Sequence, residues 1–357
     1  MWDKVGPRNW RKPLLLRPDN FTPPGRTPWG GTRIVRDLKG ELGLVHADVV
    51  GEAWELSVEP DFPSRLIDGP TLDEVLRSDP SALLGGESPL GSTALLVKLL
   101  DAADDLSVQI HPEDSDPALG ADESGKPEAW YIIDAASNSG LYLGFREGVS
   151  RETVQEAIDN EDDVGALLRF VPVCIGDVFV IEPGTPHAVG RGVMLLEPQR
   201  VSPGKRGVTY RYWDWNRRYD PNGKPDPSGA PRALHLPRAL DVTRWQAPRG
   251  DSLLETIRHR AGPAAIDGKA VLEPLISGER PLRSAIFRVK RLAGSGETTL
   301  PSSHNLRSLT VLAGRVTVRS DGTELNIPQG QTAALPPCLG PLPVTLDRAH
   351  AIVCHLA

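Results

Sequence analysis

The sequence predicts a mainly β protein built as two tandem β-barrels, the first carrying a small helical insert. Three observations lead there. The chain holds 35 Gly and 34 Pro in 357 residues, about a fifth of the total, which marks frequent turns. Its hydrophobic share of 39% still supplies enough apolar surface for packed cores. Its length exceeds what one core supports, since single cores stop growing near roughly 250 residues.

Each element follows from local pattern. From Ser92 to Leu143 the segments "ALLVKLLDA", "LSVQIHP", "EAWYIIDA" and "GLYLGF" read as strands, each bounded by charged, Gly or Pro turns. "SRETVQEAIDNEDDVGALLRF" then reads as a helix, with Ser150 as N-cap, Glu152 in the first turn, and Val154, Ala157 and Ile158 at helical spacing. "VPVCIGDVFVIEPGTPHAVGRGVMLLEPQ" returns to strands around a Gly176-Asp177 turn and a Pro183-to-Pro186 corner. Residues 1–245 thus form the first domain, with its helical insert around 150–170. Residues 246–282 read as a connector with one helix, "SLLETIRHRA". Residues 283–357 carry "AIFRVKRL", "RSLTVLAGRVTVRSDGTELNIPQGQTAALPP" and "AIVCHLA", short alternating strands of a second barrel. A weak repeat links the halves: Gly176 precedes Pro183, and Gly330 precedes Pro337, at the same distance. Where the first copy has His187 the second has Pro341, so the polar residue is confined to the first barrel.

A formal net charge of −7 argues against a nucleic-acid partner, which needs a basic face to displace counterions. Cys174, Cys338 and Cys354 form no CxxC pair and are expected as buried small hydrophobes in a reducing compartment. The leading "LLL" is too short for a signal segment, and "ALLVKLLDAA" is interrupted by Lys98. The expectation is a cytoplasmic protein with no membrane partner; its oligomeric state is not encoded in any visible pattern.

Side chains on a strand alternate between faces, so Ser107, Gln109 and His111 share one side and Leu106, Val108 and Ile110 the other. In "GKPEAW", Pro127 favours extended backbone and aligns Lys126 with Glu128, with Trp130 the next inward position. His187 follows "PGTP", a corner that presents an imidazole at a barrel mouth. Gln109, His111, Glu128 and His187 therefore offer two imidazoles, one carboxylate and one amide oxygen. That set suits zinc, iron, copper or nickel, with zinc and an open coordination position preferred. The plainer reading of each residue alone is an ordinary polar side chain. His46, His235, His259, His304, His350 and His355 lack such company and read as surface or structural.

"GVMLLEPQRVSPGKRGVTYRYWDWNRRYD" adds Arg200, Lys205, Arg206, Arg211, Arg217 and Arg218. On a strand Arg211 shares a face with Thr209 and Trp213, and such an arginine wants an anion. A salt bridge to Asp214 or Glu197 is the competing explanation.

The segments "TPWGGTRI", "GEAWELS", "LLVKLLDAADDLSVQIHPED", "GKPEAWYIIDA", "GDVFVIEPGTPHAVGRGVMLLE" and "TYRYWDW", with a fainter "RALHLPRALDV", together resemble class I mannose-6-phosphate isomerase (phosphomannose isomerase), in its short bacterial form. The resemblance implies two tandem cupin barrels of double-stranded β-helix, jelly-roll-like type, the second degenerate and metal-free. It also implies an aldose–ketose isomerase converting mannose 6-phosphate and fructose 6-phosphate by proton transfer through an enediol. By the same resemblance one Zn2+ per chain falls on Gln109, His111, Glu128 and His187, the active-site arginine on Arg211 and the motif lysine on Lys126. Ser107 and Lys98 are further candidate contacts for the sugar phosphate. Two departures stand out: Ser202-Pro203 followed by "GKRGV" where the family has an acidic residue, and the insert "DPNGKPDPSGAP" after the arginine strand. Rival readings are a non-catalytic metal-containing sugar-phosphate binder and a cupin dioxygenase.

Overall fold

The structure, a computed structural model, describes residues 9–44, 49–67, 69–262, 264–277 and 286–357. The path runs through strands β1 (Leu14–Leu15) and β2 (Glu52–Leu56), helices α1 (Leu72–Ser78) and α2 (Pro80–Leu84), and strand β3 (Leu95–Asp101). The two helices were not expected, because each is too short to display a helical period. Their caps explain them. Thr71 Oγ1 accepts from the Glu74 N–H while the Glu74 carboxylate accepts from the Thr71 N–H, and the Asp79 side chain caps α2 ahead of Pro80.

Strands β4 (Val108–Ile110), β5 (Glu123–Ser124), β6 (Glu128–Ala135) and β7 (Gly140–Phe145) follow, then helix α3 (Arg151–Asp159), capped by Ser150 as expected. Next come β8 (Leu168–Pro172), β9 (Val178–Ile181), β10 (His187–Val189), β11 (Val193–Arg200), β12 (Arg206–Gly207), β13 (Tyr210–Trp213), β14 (Arg218–Tyr219) and β15 (Ala230–Pro231). Helices α4 (Leu236–Val242) and α5 (Gly250–Ile257) and strand β16 (Arg258–His259) complete the first module.

Its strands form a five-stranded sheet, β13-β4-β10-β7-β8, and a six-stranded sheet, β16-β9-β6-β11-β3-β2. The sheets face each other over one core, with Trp130, Ile132 and Leu195 from one side and Leu141, Leu143 and Val189 from the other. Among the described residues no ladder joins them, so the expected jelly-roll-like barrel takes the form of two facing sheets. The six-stranded sheet is apolar on its outer face too: Ala129, Val180 and Leu196 pack against Phe287, Val289 and Ile352 of the second module. Each such aliphatic side chain stabilises by ~1.5–3 kcal/mol when fully buried, which makes this sheet the middle layer of the molecule. Helices α3 and α4 cover the back of the five-stranded sheet, burying Val108, Ile110 and Ala188.

The second module comprises β17 (Ala265–Asp267), β18 (Lys269–Ile276), β19 (Phe287–Leu300), β20 (Arg307–Ser320), β21 (Thr323–Pro328), β22 (Thr332–Leu335) and β23 (Leu342–Leu356). They make one sheet ordered β1-β22-β20-β23-β19-β18-β17, with β21 paired to β20. Three strands reach 14 or 15 residues, where the sequence suggested short ones. Register shifts between Gly294 and Gly296, and around Gly314, bend these strands over their own core; all three glycines have positive φ. The expected connector, 246–282, is divided between the sheets: β16 pairs with β9 of the first module, while β17 and β18 edge the second. Residues 278–282 of it and 283–285 of the second domain lie outside the described residues.

The two repeat copies do coincide structurally. Gly176 and Gly330 have φ of 90° and 81°, and each stands two residues before a four-residue strand, β9 or β22. Of the cysteines only Cys354 is buried; Cys174 and Cys338 are exposed, against expectation, because they sit in turns outside the ladders.

A candidate metal centre and the adjoining cavity

Alternation along the strands assembles the candidate site between the facing sheets. In the five-stranded sheet, Gln109 of β4 stands opposite His187 of β10 on one side and Arg211 of β13 on the other, a single rung of three polar residues. In the six-stranded sheet, Lys98 of β3 stands opposite Trp54 of β2 and Glu197 of β11. Two residues along β11, Gln199 stands opposite Glu128 of β6.

His111, Glu128 and His187 are all buried, and one ligand atom from each lies within 4.8 Å of the others. His111 Nδ1 donates to the Val208 carbonyl at 3.0 Å and His187 Nδ1 to the Thr185 carbonyl at 2.8 Å. That fixes the tautomers and leaves a lone pair on each Nε2. Both lone pairs face the same carboxylate: His111 Nε2 lies 3.3 Å from Glu128 Oε2, and His187 Nε2 3.1 Å from Oε1. Neither His111 Nε2 nor Glu128 Oε1 has a hydrogen-bond partner. Burial, reinforced by the Lys126 ammonium, pushes the His111 imidazole down to about 3, so it is neutral at physiological pH. Burial acts to raise the Glu128 carboxyl, but the polar groups around it, the Lys126 ammonium among them, outweigh burial and hold it well below the ordinary carboxylate range. Buried acceptors aimed at one another repel unless a cation lies among them, so the donor set fits a divalent ion. Gln109 borders it, its amide 3.4 Å from His187 Nε2. Gln199 Nε2 donates to Glu128 Oε2 at 2.9 Å and orients that carboxylate.

Beside this cluster opens a cavity of about 310 Å³. Ser107, Gln109, Lys98, Lys126 and Arg211, each singled out in the sequence, all line it. Lys126 Nζ lies 3.7 Å from Glu128 Oε2, and Lys98 Nζ lies 3.9 Å from Glu52 and 4.0 Å above the Trp54 ring. Arg211 makes no ion pair with Asp214 or Glu197, the alternative weighed above. Asp214 is taken by Arg217 and Arg232, and Glu197 accepts from Trp130 Nε1 at 2.9 Å. Arg211 instead donates one Nη to the Ala233 carbonyl, and its buried Nε has no partner. Burial and the neighbouring Arg232 push this guanidinium down to about 10.

Sequence reasoning passed over Glu197 except as a salt-bridge acceptor, and Gln199, Glu52, Trp54 and Arg232 altogether. The signal for the first two was the alternation Leu195, Glu197, Gln199 on β11. Glu197 is fully enclosed, and burial together with the nearby Glu128 charge raises its carboxyl to about 8, against the opposing pull of Lys98 and Lys126. Both departures border the site. The loop after Ser202 brings Gly207 and Thr209 to the cavity wall, with the Gly207 N–H on Glu59 at 3.0 Å. The insert forms the β14–β15 hairpin around an open groove of about 730 Å³ that shares Arg232 with the cavity. Among the other histidines, His350 Nε2 meets the Tyr131 hydroxyl at 2.9 Å and His235 Nδ1 accepts from the Arg211 N–H, while His46 lies outside the described residues.

Residues 26–137 match the family "Phosphomannose isomerase type I, catalytic domain". The mannose-6-phosphate isomerase of Streptococcus mutans is 36% identical over 197 residues, 54% of this chain and 58% of the relative. A probable mannose-6-phosphate isomerase of Bacillus subtilis, GmuF, is 38% identical over 198 residues, 54% of this chain and 59% of the relative. The match thus spans little more than half the length of these curated relatives. By structure, the mannose 6-phosphate isomerase of Bacillus subtilis superposes with a TM-score of 0.77 at 26% identity, covering 96% of this chain and 99% of the other. The Salmonella typhimurium mannose 6-phosphate isomerase, solved with fructose 6-phosphate and zinc, shares the fold at a TM-score of 0.65 and 16% identity, over 96% and 98% of the two chains. Across residues 26–137 by sequence, and across nearly all its length by fold, the chain is similar to the type I phosphomannose isomerases.

Proposed function

We propose that the protein is a zinc-dependent aldose–ketose isomerase interconverting mannose 6-phosphate and fructose 6-phosphate, with one ion per chain on Gln109, His111, Glu128 and His187. The observation that carries this reading is the pairing of two unsatisfied demands in one enclosure. Lone pairs of His111 and His187 converge on the Glu128 carboxylate and want a cation, and an unpaired arginine a short way along the same rung wants an anion. When bound, zinc would supply Lewis-acid stabilisation of charge developing on a substrate oxygen.

The chain's own groups do the rest. Moving a proton between adjacent carbons through an enediol needs a group that can accept and return it near neutral pH. Glu197, raised to about 8 and inward on β11, meets that need. Lys126, beside Glu128, is the second candidate proton carrier and a candidate oxyanion contact. Arg211 would hold the phosphoryl group or the enediolate through its free Nε–H, since a guanidinium stays charged and binds oxyanions with directed donors. Ser107 and Lys98 extend the polar wall beside it, and Trp54 and Trp29 give the sugar an apolar surface. This reading is tested by a coupled assay on mannose 6-phosphate with and without chelator, alongside elemental analysis. His187→Ala should lose bound metal and turnover together, whereas Arg211→Gln should keep the metal and lose turnover. Full activity in the His187 variant, or oxygen uptake in place of isomerisation, defeats the reading.

A further inference from the structure

Arg211 shares its condition with one residue in the other module. Arg307 opens β20, is only 2% exposed, and has a buried Nε without a partner. Its two Nη groups donate to the carbonyls of Pro301 at 2.6 Å and Gly340 at 3.2 Å. These dipoles position the guanidinium without neutralising it. Among the described residues no carboxylate lies within ion-pair distance, and burial alone pushes the group down to about 10. A buried charge left uncompensated is costly, so such a group is a standing demand for an anion.

The register gathers further positive charge on the same face. Ser308 pairs with Cys354, which places Arg307 beside His355; His355 in turn pairs with Arg288 on β19, and Lys290 lies two residues along that strand. Alternation puts all four side chains on the inner face, continuous with the apolar positions Leu309 and Val353. Lys290, Arg288 and His355 are half-exposed, and Arg307 beside them is buried. Lys290 makes no ion pair among the described residues; burial and then the Arg307 charge lower it, and His355 likewise responds, after burial, to Lys290 and Arg307. The groups therefore lie within electrostatic reach of one another. Tying down Pro301 and Gly340 would account for Arg307 alone. His355 Nδ1 donates to the Leu356 carbonyl at 2.8 Å, which leaves Lys290 on the same face unexplained.

We propose that Arg307, Lys290 and His355 form a second anion site, in the sheet of the second module, that binds a phosphate-class oxyanion through Arg307 Nε–H and the Lys290 ammonium. Arg307 and Lys290, neither of them in an ion pair among the described residues, favour a doubly charged oxyanion over a carboxylate. The inference stands independently of the function proposed for the first module.

Isothermal titration calorimetry of the full chain tests it, using the chelator-treated Arg211→Gln variant so that phosphate binding in the first cavity is weakened, and reading the second site as the binding that Lys290→Met removes. The probes are inorganic phosphate and glucose 6-phosphate, with acetate as control. One phosphate should bind per chain, acetate should bind at least tenfold more weakly, and Lys290→Met added to that variant should weaken phosphate at least tenfold. Glucose 6-phosphate binding alongside phosphate identifies a phosphorylated metabolite as ligand; phosphate binding alone identifies the free ion. Arg307→Gln should abolish binding, and if that variant fails to fold, half-exposed Lys290→Met decides the matter. No phosphate binding in the Arg211→Gln protein, or equal binding with and without Lys290→Met, overturns the site.

Discussion

Lys39 and Glu55 offer the sharpest test of how the two modules are joined. Lys39 follows the short helical turn Ile34–Leu38, and Glu55 lies on β2, on the face opposite Trp54 and the cavity. Their side chains are 0% and 3% exposed and meet at 2.7 Å. Lys39 Nζ also donates to the Gly330 carbonyl at 2.7 Å, and Glu55 accepts from the Thr332 hydroxyl at 2.8 Å, so both charges are tied to the second module. Lys39→Met removes the cation and leaves Glu55 buried with a single neutral donor. Breaking a buried pair in this way costs about 3–5 kcal/mol. Replacing both partners, as Lys39→Met with Glu55→Leu, removes the stranded charge and should recover most of that loss. Urea unfolding of the single and double variants measures the cycle. A single-variant loss below ~1 kcal/mol, the range of exposed pairs, would show that water reaches this interface and that the pair does not hold the modules together.

Three further expectations follow. Glu197→Gln should keep the fold and any bound metal, and should suppress turnover measured in the coupled assay. In the metal-free protein, the folded value of Glu197 (about 8) lies above its ordinary 4.5, so the stability it contributes is complete below about pH 4.5 and is lost as pH rises through 8. Thermal unfolding across that window should slope less in the glutamine variant, and identical slopes would contradict a buried neutral carboxyl. Gly314→Ala puts a Cβ 2.3 Å from the Arg348 carbonyl at φ +66°, and should destabilise by at least ~1–3 kcal/mol in denaturant titration. Thr71→Ala should cost ~0.5–2 kcal/mol by removing the cap of α1, readable in the same assay.

Much of the site was visible in the sequence because strand alternation is a simple rule. Ser107, Gln109 and His111 needed only a period of two to be placed together, and Pro127 aligned Lys126 with Glu128. His187 was harder, since its nearness to Gln109 depends on β10 lying between β4 and β7, which no local pattern states. Glu197 escaped notice because a single acid in an apolar strand looks like an edge residue until its neighbours are known. Arg211 shows the same limit from the other side: whether it pairs with Asp214 depends on Arg232, 21 positions on, having taken that carboxylate first. In the fold, helices set by caps and strands lengthened through glycine bulges were missed, because neither carries a hydrophobic period.

The pairing of Leu14–Leu15 with Ala333–Ala334 has a consequence for biosynthesis. These partners are separated by more than 300 positions, so the ladder between them closes only after translation has delivered β22 clear of the ribosome. Until then Leu14 and Leu15 lack their partner strand, so this edge of the second sheet is completed late in the making of the chain.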